Sequence, residues 1–254
     1  MRKSIILLAL ALAALTVAGS AGASRHAGTF KYCTDPTFPP MELATASGKI
    51  TGFDVDMAQA LALTWGANAT AVKTAFPGLI PALNAKKCDA VISGIFVTPD
   101  RVKQAGAVAY MHSHRVLIVK AGNPKHITSP NGLKGLNVAV QAGTKYEEYL
   151  KALKAKIGFS LQSYPGDNDA VAQVLLGRSD AVLTQDTSFA YQAGKHPGKI
   201  GIGYTFSSSD TFGIYFRKGD AIGKQIADGV RQLRSTGKLK ALATKYKIPV
   251  GDVK

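Results

Sequence analysis

Cysteine and tryptophan are nearly absent from this chain, with two of the former and one of the latter in 254 residues. No CxxC or HxxxH spacing surrounds the cysteines, which argues against a structural metal centre of the usual ligand pattern. Acidic residues are also scarce, 16 against 31 lysines and arginines, giving a formal net charge of +15. Such a balance raises nucleic acid as a partner. The basic residues are spread over many segments, however, and no basic run is interleaved with aromatics. A solvated cationic surface is the reading, and no nucleic acid is expected. Long apolar runs are missing after the first 23 residues, so no later segment offers the ~20 apolar residues of a membrane-spanning helix.

Those first residues read as an export signal rather than as fold. Arg2 and Lys3 make a basic start, Ile5 to Val17 a short apolar run, and Ala21-Gly22-Ala23 a small-residue cleavage site. The alternative is a membrane anchor. Cleavage would start the mature chain near Ser24 and export it as a soluble protein. An even cysteine count in an exported chain suggests a disulfide between Cys33 and Cys88. Against that, Cys33 ends one expected strand and Cys88 begins another. As parallel neighbours the two would stand several residues out of step, and a bridge needs Cα atoms within about 7 Å. The sequence weighs against the bond.

Strands and helices alternate along what remains, which argues an α/β fold with a mostly parallel sheet. "TFKYCTD" (residues 29–35) is a strand entering the loop "PTFPP". Val55, Ala58, Leu61, Ala62 and Trp65 recur at helical spacing, and Gly66 stops that helix. "ATAVKT" is a strand, "GLIPALNAKK" a short helix, and "CDAVISGI" a buried strand. The pattern then restarts at "LNVAVQAGT". "KKCDAVISG" and "GRSDAVLTQ" repeat one unit: a helix end, a basic and a small residue, then Asp-Ala-Val. Two similar lobes follow from the repeat. Stretches near 113–122 and 209–219 cross between them. Residues 24–113 and 212–254 are assigned to the first lobe and 114–211 to the second, with 1–23 as the signal peptide.

"VISGIFVTPDR" (residues 91–101) poses an electrostatic question. Val91 to Phe96 read as a strand; Thr98, Pro99 and Asp100 then read as cap, first-turn proline and first-turn acid of a helix. Arg101 follows, although a cation in a first turn opposes the helix dipole by about 0.3–1 kcal/mol. Ligands of such sheets bind beyond the carboxyl ends of the strands. There Arg101 could grip a carboxylate with two hydrogen bonds. The alternative is a surface arginine paired with Asp100 or water. In the second half Thr144, with Glu147 three residues on, fits a capping box. Its turn could face the same anion from the opposite side, or be an ordinary cap. His112 and His114 share a strand face and could be a metal pair, a pH switch, or simply exposed residues.

"TDPTFPPMEL", "GFDVDMAQAL", "LIPALNAKKCDAVISGIFVTPDR", "VAVQAGT" and "GRSDAVL" together resemble the motifs of family 3 extracellular solute-binding proteins, the polar-amino-acid receptors of ABC importers. The likeness covers nearly the whole mature chain. It implies a type II periplasmic binding protein fold, two α/β lobes on two hinge strands closing on a small ligand. It implies that Arg101 holds the ligand's α-carboxylate, assisted by the backbone at Gly94 and Thr144, with Ser93 also in the ligand-binding set and Asp35 and Phe38 lining the pocket from the first loop. Asp54 and Asp56, in "GFDVD", are taken as helix caps.

Two positions depart from the family pattern. Phe96 stands where a serine or threonine hydroxyl usually helps hold the α-ammonium. Gln185 stands where its main acidic partner usually is, with Asp186 one place later. Either Asp186 takes over, or Gln185 and Thr184 serve a ligand without an α-ammonium. The expected function is therefore a periplasmic, monomeric, non-enzymatic receptor without cofactor or metal. It would capture a small carboxylate-bearing solute, foremost an amino acid, for an ABC permease. A non-amino organic acid and dehydratase-like chemistry on the same fold are the alternatives, with Asp186 the candidate acid for the latter. A receptor's sensory lobe fits less well, since no transmembrane or kinase segment is apparent.

Overall fold

The computed structural model describes residues 28–253. The proposed signal peptide lies outside the described residues. Strand β1 (Gly28–Thr34) turns Phe30, Tyr32 and Cys33 inward. A small antiparallel sheet follows, β2 (Thr37–Phe38), β3 (Glu42–Ala44) and β4 (Ile50–Thr51). Helix α1 (Phe53–Leu63) buries Ala58, Leu61 and Ala62 of the stripe its periodicity predicts, together with Phe53, Asp54 and Met57; Val55 is only partly buried, and Trp65 lies beyond the helix end. Strand β5 (Ala67–Lys73), α2 (Leu79–Asn84), β6 (Ala90–Val91) and α3 (Pro99–Gln104) complete the first run.

Strand β7 (Gly106–Lys120) then leads into a second series: β8 (Asn137–Gln141), α4 (Lys145–Ile157), β9 (Ser160–Tyr164), α5 (Asp167–Leu175), β10 (Ala181–Gln185) and α6 (Asp186–Lys195). Strand β11 (Ile200–Phe216) returns the chain, and α7 (Ile222–Ser235) and α8 (Lys238–Lys245) close it. Their apolar stripes, Ile226, Val230 and Leu233, then Leu239 and Leu242, pack on the first series.

All the long strands join one eight-stranded sheet in the order β5-β1-β6-β11-β7-β10-β8-β9. Each flank is parallel: β1 pairs with β5 and β6, and β8 pairs with β9 and β10. The centre is antiparallel, because β7 and β11 run past each other from Gly106 opposite Phe216 to Lys120 opposite Ile200. These are the two strands shared by both lobes of the α/β fold. They start earlier than the crossing stretches that the sequence suggests.

The Asp-Ala-Val repeat has one structural meaning in both lobes. Asp89 exchanges two hydrogen bonds with Lys31: its N–H donates to the Lys31 carbonyl and its carboxylate accepts from the Lys31 N–H. Asp180 does the same with Asn137. Each aspartate thereby sets the register of its strand against the lobe's first strand.

Two expectations are corrected. Cys33 and Cys88 are bonded, with Cα atoms 5.7 Å apart. Along the ladder Cys33 does stand opposite Val91, three residues beyond Cys88. Cys88 lies outside the ladder, however, in the turn between α2 and β6, and both cysteines join one apolar cluster with Leu79 and Leu83. A residue outside the ladder is not bound by its register. The buried strand expected over residues 91–96 is also shorter. Only Ala90 and Val91 are in the ladder; Phe96 makes an isolated bridge to Phe212. Gly94 breaks the run with φ +47, and a Cβ there would come within 2.6 Å of the Phe38 ring.

Candidate ligand-binding site

The loop after β6 is held by acids from the start of the chain. Asp54 accepts from Gly94 N–H at 2.7 Å and from the Tyr110 hydroxyl at 2.9 Å. Ser93 Oγ donates to Glu42 at 2.9 Å and accepts from Asp35 N–H at 2.9 Å. Asp54 is therefore not the helix cap expected; Gly52 occupies the α1 cap and no side chain closes it. Asp56 accepts from Tyr246 Oη at 2.8 Å and pairs with Lys245, tying α8 to α1. Burial and the neighbouring Asp54 charge push Glu42 well above the usual carboxylate range.

Thr98 caps α3 by accepting from Arg101 N–H at 3.3 Å. The Arg101 guanidinium does not turn to Asp100. It donates to the Phe96 carbonyl at 3.1 Å and lies over the Phe76 ring at 5.5 Å. Asp100 instead pairs with Lys103 and Lys145. Burial lowers the Arg101 pKa, which marks a desolvated cation. Among the described residues no carboxylate forms an ion pair with it.

Thr144 caps α4 in the other lobe, accepting from Glu147 N–H at 3.1 Å, while Glu147 accepts from Gly143 N–H at 2.8 Å. The capping box is thus complete. Thr144 Oγ1 also donates to the Gln141 carbonyl at 2.8 Å, and the residue is buried.

These elements converge on one cavity between the lobes. Phe38, Phe76, Gly94, Phe96 and Arg101 line it from the first; Gln141, Thr144, Lys145, Tyr146, Asp167, Leu183, Thr184 and Gln185 line it from the second. Its free volume is about 20 Å³. Space for little more than one water remains, so an amino-acid-sized ligand must part the walls. Polar contacts across the walls include Gln141 Nε2 donating to Asp35 at 3.0 Å and to Thr37 at 3.5 Å, and Lys145 pairing with Asp100 at 3.2 Å. Phe96 is stacked on Phe212, with centroids 5.3 Å apart, and meets the Tyr146 ring edge-on at 5.2 Å. Phe96, read in the sequence as a departure from the family pattern, thus makes an aromatic wall.

Of the nine residues singled out in the sequence, Phe38, Gly94, Phe96, Arg101, Thr144 and Gln185 line the cavity. Asp35 and Ser93 stand behind the lining, Asp35 through Gln141 and Ser93 through the Asp35 backbone. Asp186 is not brought in. It accepts from Ser113 Oγ at 2.7 Å and lies 3.4 Å from His114 Nδ1, on the shared strand. Asp186 does not take over the place of Gln185, because Gln185 remains in register opposite Arg115. His112 bonds Thr211, and no metal-binding cluster of three or more His, Cys, Asp or Glu occurs among the described residues.

Asp167 was missed. It is buried at the start of α5, and its two oxygens accept from Thr184 Oγ1 and Ser188 Oγ. Burial raises its pKa to about 6, and burial raises that of Asp35 to about 6 as well. The Tyr146 hydroxyl donates to Asp210, which also pairs with Arg115 at 2.9 Å.

The sequence profile described as "Bacterial extracellular solute-binding proteins, family 3" matches residues 30–248. The chain belongs to this family. Among curated relatives of these solute-binding proteins, the L-cystine-binding protein TcyJ of Escherichia coli (strain K12) is 30% identical over 225 residues, 87% of this chain and 84% of that one. The solved structure of an ancestral arginine-binding protein bound to arginine superposes with a TM-score of 0.81 at 30% identity, covering 86% of this chain and 98% of that chain. The ancestral amino acid-binding protein AncCDT-1, a precursor of cyclohexadienyl dehydratase, gives a TM-score of 0.80 at 30% identity, covering 86% and 95%.

Proposed function

We propose that this protein is the periplasmic receptor of an ABC importer and captures an amino acid between its lobes. One observation carries the reading: Arg101 is a desolvated cation in an interlobe cavity, and its protein contacts are a carbonyl and an aromatic face. A carboxylate supplies the charge it lacks. Thr144, at the N-terminus of the thirteen-residue α4, faces the same cavity and offers a second grip from the other lobe. A ligand held by both lobes favours the closed state. The lobes are taken as 24–113 with 212–254, and 114–211, so that their junctions fall on the paired strands near His112 and Thr211. Export through a cleaved signal peptide, action as a monomer, delivery to a permease and the absence of catalysis belong to the same reading.

The test is a thermal-shift screen of ligand-stripped protein with amino acids, their deaminated analogues and small organic acids. A ligand at a hundred times its dissociation constant adds about 2.7 kcal/mol. Stabilisation by amino acids alone is the expected result. Stabilisation only by acids lacking the amine, or turnover of a cyclohexadienyl carboxylate, overturns it.

A further inference from the structure

We propose that the ligand is an amino acid with a cationic side chain and that Asp167 is the residue that selects it. The inference rests on the amino-acid-receptor reading and deepens it. A basic amino acid brings three charged groups, and the cavity holds a distinct complement for each. Arg101 suits the carboxylate. Gln185 is 5% exposed, lines the cavity, and its Oε1 has no hydrogen-bond partner among the described residues. A buried acceptor left in that state is costly, and an α-ammonium supplies the missing N–H.

The third complement is Asp167. It is 4% exposed and lines the cavity, and both partners of its carboxylate are neutral hydroxyls, Thr184 and Ser188. A carboxylate has further lone pairs to offer a cation. Asp35 in the opposite lobe lies close enough for its charge to act on Asp167. Gln141 links the two sides, donating to Asp35 and, at 3.4 Å, to the carbonyl of Pro165, two residues before Asp167. Phe38 lines the same cavity, and an aromatic ring is a surface on which a guanidinium or ammonium packs well. Lys145, the other cation in the lining, is already engaged by Asp100 and Glu148. This leaves negative charge uncompensated beside Asp167. A ligand with a neutral side chain would seal that charge away from water without a partner.

The experiment is titration calorimetry of the refolded, ligand-stripped full-length mature protein with L-arginine and L-citrulline, which differ by guanidinium against urea at equal size. Arginine is expected to bind about tenfold or more tighter. Asp167→Asn is expected to weaken arginine by a similar factor and citrulline by less than about threefold, the loss confined to the charged ligand. Equal affinities in the unmodified protein, or equal losses of both ligands in the variant, overturn the proposal. The unmodified comparison decides the matter even if the variant does not fold. Binding of neutral or acidic amino acids in preference to arginine defeats the side-chain assignment while leaving the receptor reading intact. Failure of every amino acid to bind defeats that reading itself.

Discussion

Helices α3 and α4 begin with the same device and use it for different ends. Each follows a strand of its own lobe, each has a threonine at the cap, and in each that threonine accepts from the N–H three residues on. In α4 the third residue is Glu147, which reaches back to Gly143 and closes the box. In α3 it is Arg101, which opposes the dipole, leaves the cap half made, and aims a cation at the cavity. The α4 turn is built for stability; the α3 turn gives up some of it for binding. Local rules are obeyed where nothing else is required and broken where a ligand is to be held.

The comparison can be broken first at Arg101. Arg101→Ala should weaken amino-acid binding by about a hundredfold or more, since it removes a bidentate, charge-assisted contact, while the melting temperature stays nearly unchanged. Arg101→Glu sharpens the point. It installs the residue found in α4 and should help the cap by a few tenths of a kcal/mol, yet abolish binding. Retained binding in either variant, read by calorimetry, removes the carboxylate role.

Asp167→Asn should act in the opposite direction on stability. The folded-state pKa of Asp167 is about 6 against an ordinary 3.8. An acid raised in this way costs stability above pH 6, and the cost is relieved as pH falls from about 6 towards 4. The ligand-free variant should therefore be more stable than the parent by about 1–2 kcal/mol at pH 7.5, and the gap should be clearly narrower at pH 5. Melting curves at both pH values check this; a constant gap, or one that widens on acidification, contradicts it.

Thr144→Ala tests the second grip. Losing the cap should cost about 1 kcal/mol, and loosening the α4 N-terminal turn that the hydroxyl ties to Gln141 should weaken the ligand by about tenfold. Glu147→Ala is the smallest change. It should cost about 0.5–1 kcal/mol through the opened box and the lost Lys151 and Ser163 contacts, and leave ligand affinity within about twofold. A large affinity loss there would mean that the two turns are less different than their contacts imply.

Much of this was legible in the chain. Helical spacing in α1, the repeated Asp-Ala-Val, the caps at Thr98 and Thr144, and the odd placement of Arg101 depend on residues near one another in sequence, and each appears as read. Asp167 was not legible, because an acid in a helix's first turn is what the dipole alone would favour. Nothing local separates a charge placed for the dipole from one placed for a ligand. Asp186 misled for the converse reason. Its position beside the site is a matter of sequence, but the unbroken β10 register sends Gln185 to the cavity and Asp186 to Ser113 and His114.

What the sequence by itself determined is the order of strands and helices, the two-lobed α/β plan and the family, because periodicity, caps and turns act over a few residues. What only the tertiary structure decided is how distant segments meet: the Cys33–Cys88 bond, Asp54 reaching Gly94, Gln141 bridging to Asp35, and Asp167 buried in the cavity that Arg101 also lines. Those contacts depend on directions in space and on burial, and a side chain's charge acquires its meaning only when its surroundings determine whether water or a ligand will answer it.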